Sequence, residues 1–312
     1  MIYFGPGVHN LPNDTLFVPS GTTVYIDGGA RVYGNIFTEG AHDVNIFGRG
    51  EVHPDGRGAG VWVRRSKNVR IDGIVVSQLP IGQCDSVELT NVKSISYYGW
   101  GDGMDVFSSS NVILDGVFCR NSDDCAAVYA STQGFKGGSN NVLVKNATLW
   151  ADVAHPINIG GHGDPNGMDT VQNVTFRNID ILDQAEKQID YQGCLAINPG
   201  DNTLVRNITF ENIRIEDFRN GQLVNFRISF NPKYCVSTGR GIQNVLVKDV
   251  TYNGSGENLS IIAGYDENHK ISGIRFVNLV VNGRKITDDM PGKPKWYKTG
   301  DMAGIFVGEH VE

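Results

Sequence analysis

The chain has 312 residues, with 27 Lys+Arg against 34 Asp+Glu and a formal net charge of -7. That balance argues against nucleic acid or an anionic membrane as partner, since both would be repelled, and more weakly against a polyanionic substrate, which a local basic pocket could still hold. No apolar run reaches the roughly 18 residues that span a bilayer, and the five scattered cysteines contain no Cys-x-x-Cys pair, so neither zinc nor a disulfide framework is indicated.

Residues Met1 to Gly7 show no basic stretch followed by an apolar one, so no signal peptide is expected in this chain. No amphipathic helix is expected before residue 20. The 39 glycines lack a Gly-X-Y period and read as many tight turns.

From residue 43 onward one pattern recurs. It reads Asp43-Val44-Asn45-Ile46, Asn68-Val69-Arg70-Ile71, Asn91-Val92-Lys93-Ser94 and Asn111-Val112-Ile113-Leu114. It continues as Asn141-Val142-Leu143-Val144, Asn173-Val174-Thr175-Phe176, Asn207-Ile208-Thr209-Phe210 and Asn244-Val245-Leu246-Val247, with Gly273-Ile274-Arg275-Phe276 as a degenerate copy. Copies lie 20 to 37 residues apart, a spacing that marks stacked repeats. Inside a copy, as in Asn173 to Ile181, apolar and polar residues alternate, which is strand periodicity. Helical solenoids, leucine-rich repeats and propeller blades do not fit. The pattern predicts one all-β domain over residues 1–312, a right-handed parallel β-helix of about nine to ten coils. The recurrent Asn should occupy one turn of each coil and bond its neighbours in a ladder. The Pro-, Gly- and Lys-containing segment 287–299 is expected to be a loop, and Phe306 to His310 a strand. Both ends look uncapped, so a fragment of a longer protein, loop caps or a partner chain all stay open, as does a monomer or small homo-oligomer.

Three segments upstream of the anchors carry acids: Gly101-Asp102-Gly103-Met104-Asp105-Val106, Ser122-Asp123-Asp124-Cys125-Ala126-Ala127-Val128 and Ala154-His155-Pro156-Ile157-Asn158-Ile159. With Val106, Val128 and Ile159 as equivalent inward positions, Asp102, Asp124 and His155 fall in one column on neighbouring coils, about 4.8 Å apart. Asp123 sits beside them, and Asp105 should face out of its coil. Stacked carboxylates repel. One response is a raised pKa, giving the protonated acid and ionised base that glycosidic cleavage needs. A second is a bound cation such as Ca²⁺. A third is solvated turn acids without a role.

These segments resemble the polygalacturonase family, glycoside hydrolase family 28. Its first aspartate segment matches Gly101 to Val106, its Asp-Asp-Cys segment matches Asp123-Asp124-Cys125, and by register its histidine motif matches His155 to Gly160. The literal Gly161-His162-Gly163 lies after the strand, which leaves His162 as the alternative histidine. The resemblance implies inverting hydrolysis, with Asp123 as general acid, Asp102 and Asp124 activating water, and His155 tuning the acid. It implies no metal or organic cofactor.

The family's Arg-Ile-Lys motif should fall at Ala196-Ile197-Asn198, where both basic residues are missing; Arg227-Ile228-Ser229 lies one coil later. Tyr234 matches a family tyrosine that lines the site. Cys125 lacks a partner cysteine before His155 and should be a free buried thiol. Candidate substrate contacts are therefore Asp105, Asn158, Asn198, Arg227 and Tyr234, with Trp100 and Tyr129 as stacking platforms, and the loop from Ser131 to Asn140 as one wall of the cleft. The expected function is hydrolysis of O-glycosidic bonds in a polysaccharide or oligosaccharide, pectic or neutral, by a secreted or periplasmic protein. The alternatives are a non-catalytic glycan-binding adhesin and a cation-dependent polysaccharide lyase.

Overall fold

The computed structural model describes residues 1–188, 191–255, 258–287 and 305–312. The described residues form a right-handed parallel β-helix whose strands join in one sheet. The only antiparallel strand pair among them is a short hairpin at Val280–Val281 and Arg284–Lys285. Segment 287–299, read as a loop, lies outside the described residues beyond Thr287. Ile305–Val307 is a strand on Ser260–Ile262, so the strand read over Phe306 to His310 holds only for its first two residues, and Gly308 to His310 lie beyond it.

Each coil has three faces. The first carries the repeat, as in Lys67–Asp72, Asp85–Thr90 and Ser110–Asp115, and the opening halves of Asn140–Ala151 and Thr170–Asp183. The second follows after one residue of turn in the long strands. The third includes Val61–Arg64, Ile81–Gly82, Met104–Phe107, Ala126–Tyr129, Ile157–Ile159, Leu195–Ile197 and Val224–Arg227. Alternation fixes the register. Val69, Val87, Val112, Val142, Val174, Ile208 and Val245 stack in one inward column, all with 1% exposure or less. Slipping one coil by a single residue would turn its buried set outward.

The anchors sit in left-handed backbone: φ is 57° at Asn141, 55° at Asn173 and 55° at Asn207. Asn tolerates that conformation better than other side-chain-bearing residues. The amides also form the expected ladder. Asn141 Nδ2 donates to Asn111 Oδ1 at 2.6 Å and Asn207 Nδ2 to Asn173 Oδ1 at 3.2 Å, while Asn173 Nδ2 reaches Asn140 Oδ1, beside the anchor Asn141, at 2.8 Å. Asn91 does not belong to it. Register aligns Val87 with Val69 and Val112, so Ser86 takes the anchor position in that coil, also at positive φ. Asn91 sits at the next turn, where a second ladder runs through Asn146, Asn178 and Asn212. Asn173→Ala should lower unfolding free energy by about 1–2 kcal/mol, the cost of left-handed backbone for a Cβ-bearing residue, while Asn173→Gly should cost less. Urea midpoints of the two variants test this, and equal losses would reject the conformational account.

Candidate active site

The acids stand where the second face turns into the third. The pairings Met104↔Ala126, Val106↔Val128 and Val128↔Ile159 put Asp102, Asp124 and His155 at the same level of three successive coils, as the spacing required. Gly103 lets the coils close up there: a Cβ would lie 2.2 Å from the Cys125 carbonyl oxygen. The Gly103 amide instead donates to the Asp124 carbonyl at 2.7 Å.

Asp124 is the fixed centre. It is 6% exposed, and four donors reach its carboxylate. The His155 amide and Nδ1 approach Oδ1 at 3.1 and 2.7 Å; Asn158 Nδ2 and the Tyr129 hydroxyl approach Oδ2 at 2.8 and 2.7 Å. Four lone-pair positions are thereby used. Burial alone would raise its pKa, but the His155 charge and these hydrogen bonds outweigh it and hold Asp124 down at about 2. On its other side His155 Nε2 meets the Tyr191 carbonyl. Both ring nitrogens thus face acceptors, so both carry protons and the ring is an imidazolium. Burial opposes that charge, yet Asp124 lifts His155 to about 9.

Asp102 and Asp123 differ, because each keeps an opening to solvent. Burial, then the negative Asp124, raise Asp102 to about 7. Burial, then Asp124 and Asp102, raise Asp123 to about 8. Asp123 Oδ1 accepts the Asp124 amide at 3.1 Å, which orients it. Asp105 is 3% exposed. Burial and its neighbours push it well above the carboxylate range, and it is the proton donor in its hydrogen bond with Asp102.

Four expected substrate contacts are therefore corrected. Asp105 is buried behind Asp102 and donates a hydrogen bond to its carboxylate rather than meeting a ligand. Asn158 is spent on Asp124 and on the Tyr129 hydroxyl at 3.1 Å. Tyr129 is enclosed, with its ring stacked 5.9 Å from Phe107, so it orients Asp124 instead of offering a platform. Asn198 is buried and donates to Asn225 Oδ1 and the Arg227 carbonyl at 2.8 and 3.2 Å. The reason is common to all four: an outward position on a coil is not an exposed one once neighbouring loops cover it.

Trp100 does stand open, 66% exposed beside Asp102. Arg227 is half-buried on the third face, in the strand that pairs with Leu195–Ile197, just before Asn198. Tyr234 lies edge-on to Tyr191 at 5.5 Å and donates to Gln188 Oε1 at 3.0 Å. His162 is not in the acid column; its ring sits edge-on to Tyr129 at 5.1 Å, and burial lowers its pKa. The loop after Ser131 sends Phe135 over Phe107 at 6.2 Å. Cys125 is a free, buried thiol. Among the described residues no group of three or more His, Cys, Asp or Glu is placed to hold a metal ion, and no helix is long and apolar enough to cross a membrane.

Sequence reasoning missed Tyr191, whose carbonyl fixes His155, and Glu186, a buried carboxylate that also favours the imidazolium. Both lie between Asp183 and Leu195, where the sequence has no periodic signal. Asn121 also supports the site: its Nδ2 reaches the Ser94 and Ser96 hydroxyls at 3.0 Å each and the Asp102 carbonyl at 3.2 Å.

Known proteins carry the same architecture. A polygalacturonase from Juniperus ashei is 26% identical over 216 residues, covering 66% of this chain and 39% of that protein. An exopolygalacturonase of family 28 from Yersinia enterocolitica superposes with a TM-score of 0.68 over 99% of this chain and 71% of that one, at 13% identity. Dex49A from Penicillium minioluteum superposes at 0.67 over 99% of this chain and 59% of that one, at 14% identity. At those identities the superpositions speak to the fold alone. The chain spans about half or less of the length of the curated relatives it matches first. Residues 61–290 match Glycosyl hydrolases family 28, a stretch that contains every acid of the site, and the chain belongs to that family.

Proposed function

We propose that the chain hydrolyses O-glycosidic bonds of a pectic polysaccharide by single displacement with inversion. The supporting observation is the contrast between two solvent-reaching carboxyls, Asp123 held protonated and Asp102 favoured in its ionised form by a hydrogen bond from Asp105. The relatives named polygalacturonase point to a pectic chain as substrate. Asp123 protonates the leaving oxygen. Asp102 takes a proton from the attacking water, and Asp105 stabilises the carboxylate that does so. Asp124 has no lone pair left for water, so its role is electrostatic: its charge keeps the proton on Asp123, and His155 keeps that charge in place. The assignment of the water to Asp102 alone differs from the family expectation of a shared role.

The signs give a narrow pH window. The rate should rise as Asp102 ionises near 7 and fall as Asp123 loses its proton near 8. A kcat/KM profile checks this; activity at about pH 5 equal to that at the optimum would remove Asp102 as base. Proton NMR of the first-formed product checks the stereochemistry, and a retained anomer would exclude single displacement. A polymer of this kind is met outside the cytoplasm, so the protein should be found in the secreted or periplasmic fraction; recovery in the cytoplasmic fraction alone would contradict that placement.

A further inference from the structure

The third face continues past the acids toward the N-terminal coils. The pairings Thr38↔Val63, Val63↔Ile81 and Ile81↔Val106 carry its register unbroken to the Asp102 coil. On this face Arg64 aligns with Gly82 and Phe107. Two coils of about 4.8 Å put it roughly 10 Å from the Asp102 coil.

Arg64 is held flat. Its guanidinium carbon lies 4.4 Å from the Trp62 ring centre and 4.9 Å from that of Phe37. Its Nε is buried with no hydrogen-bond partner. Arg65, next in the chain, lies 5.1 Å over Phe135. Both arginines turn to one carboxylate: Arg65 reaches Glu39 at 3.0 Å, Arg64 at only 3.8 Å. Two cations on one acid leave a surplus positive charge and unspent N–H donors, and aromatic faces fix the geometry of both. A guanidinium so held suits a carboxylate better than a neutral hydroxyl. Beyond it Phe17, 66% exposed, stacks on Phe37 at 5.5 Å.

We infer that Arg64 and Arg65 form a distal subsite that binds the carboxylate of a uronic acid unit about two coils N-terminal of the cleavage point. The inference rests on the proposed hydrolase reading and adds to it the charge and minimum length of the substrate. An acidic protein would thereby draw a polyanion to one place on the catalytic face, level with Phe107 and two coils from the coil of Asp102.

The test uses Asp123→Asn as a binding-competent background and titrates it with oligouronates of increasing length, and with their methyl esters, by calorimetry. Arg64→Gln should weaken binding of the long acids about tenfold, leave the shortest acids unchanged, and leave the esters unchanged. Arg65→Gln should act in the same direction. Thermal midpoints equal to the parent's keep misfolding out of the comparison. Equal loss for esters and acids, no loss for long acids, or no oligouronate binding by the parent would each overturn the subsite. The hydrolase reading is judged separately by turnover of the unmodified protein on the same chains: turnover with unaffected Arg64→Gln would remove only the subsite.

Discussion

Asp123→Asn is expected to lower kcat on a polysaccharide by about 10²–10⁴, the contribution of a positioned general acid, with the fold intact. The isosteric amide keeps the oxygen that accepts the Asp124 amide hydrogen. It also removes a carboxyl that burial and Asp124 already hold near 8, so the thermal midpoint should stay level or rise slightly. The loss should depend on the leaving group. A glycoside whose aglycone departs as a stable anion needs no proton, and its hydrolysis should be nearly unaffected. Asp102→Asn should behave in the opposite way: slow on every leaving group, and restored in part by azide, which attacks without a base. Full turnover by Asp123→Asn on the polymer would end the acid assignment. Equal loss on activated and unactivated substrates would show that Asp123 holds the structure together instead of delivering a proton.

The column of Asp102, Asp124 and His155 was legible because strands have a period of two. Counting back four residues from Val106, Val128 and Ile159 needed only correct inward positions, and the core confirms those. The same arithmetic failed at Asn91, because two of the turns in a coil use Asn before an alternating apolar pair. It could not tell which outward residues stay open. Asp105, Tyr129, Asn158 and Asn198 all point away from the core by register, yet Phe135 stacks on Phe107 beside Tyr129, and the Tyr191 backbone closes over His155. Those coverings come from irregular segments whose course depends on tertiary contacts, which leave no local pattern to read. An exchange of roles follows: Tyr129 and Asn158, which look like ligands, are the ones that orient Asp124.

His155→Ala is expected to cost about 3–5 kcal/mol of stability, the loss seen when one partner of a buried ion pair is removed. Asp124 would keep Asn158 and Tyr129 but lose the charge that offsets its burial. Adding Asp124→Asn should recover much of the loss, since no unpaired charge then remains, and a double-mutant cycle in urea measures that coupling. The pH dependence identifies the pair. Asp124, held at about 2, contributes stability above its ordinary value of 3.8 and loses it as pH falls through 2. His155, raised to about 9, contributes stability below its ordinary value of 6.5 and loses it as pH rises through 9. Asp102 and Asp123, raised to about 7 and 8, also bind their protons more tightly when folded, so both make stability fall as pH climbs from about 4. These groups together place maximal stability on the acid side of neutrality, below the pH at which the rate should peak. The enzyme would then work where its carboxylates are under strain. In His155→Ala the alkaline decline should be shallower and the activity lower at every pH, because an Asp124 that takes up a proton no longer holds one on Asp123. An unchanged alkaline slope in urea midpoints would show that His155 is neutral in the folded protein, and the electrostatic role given to Asp124 would fall with it.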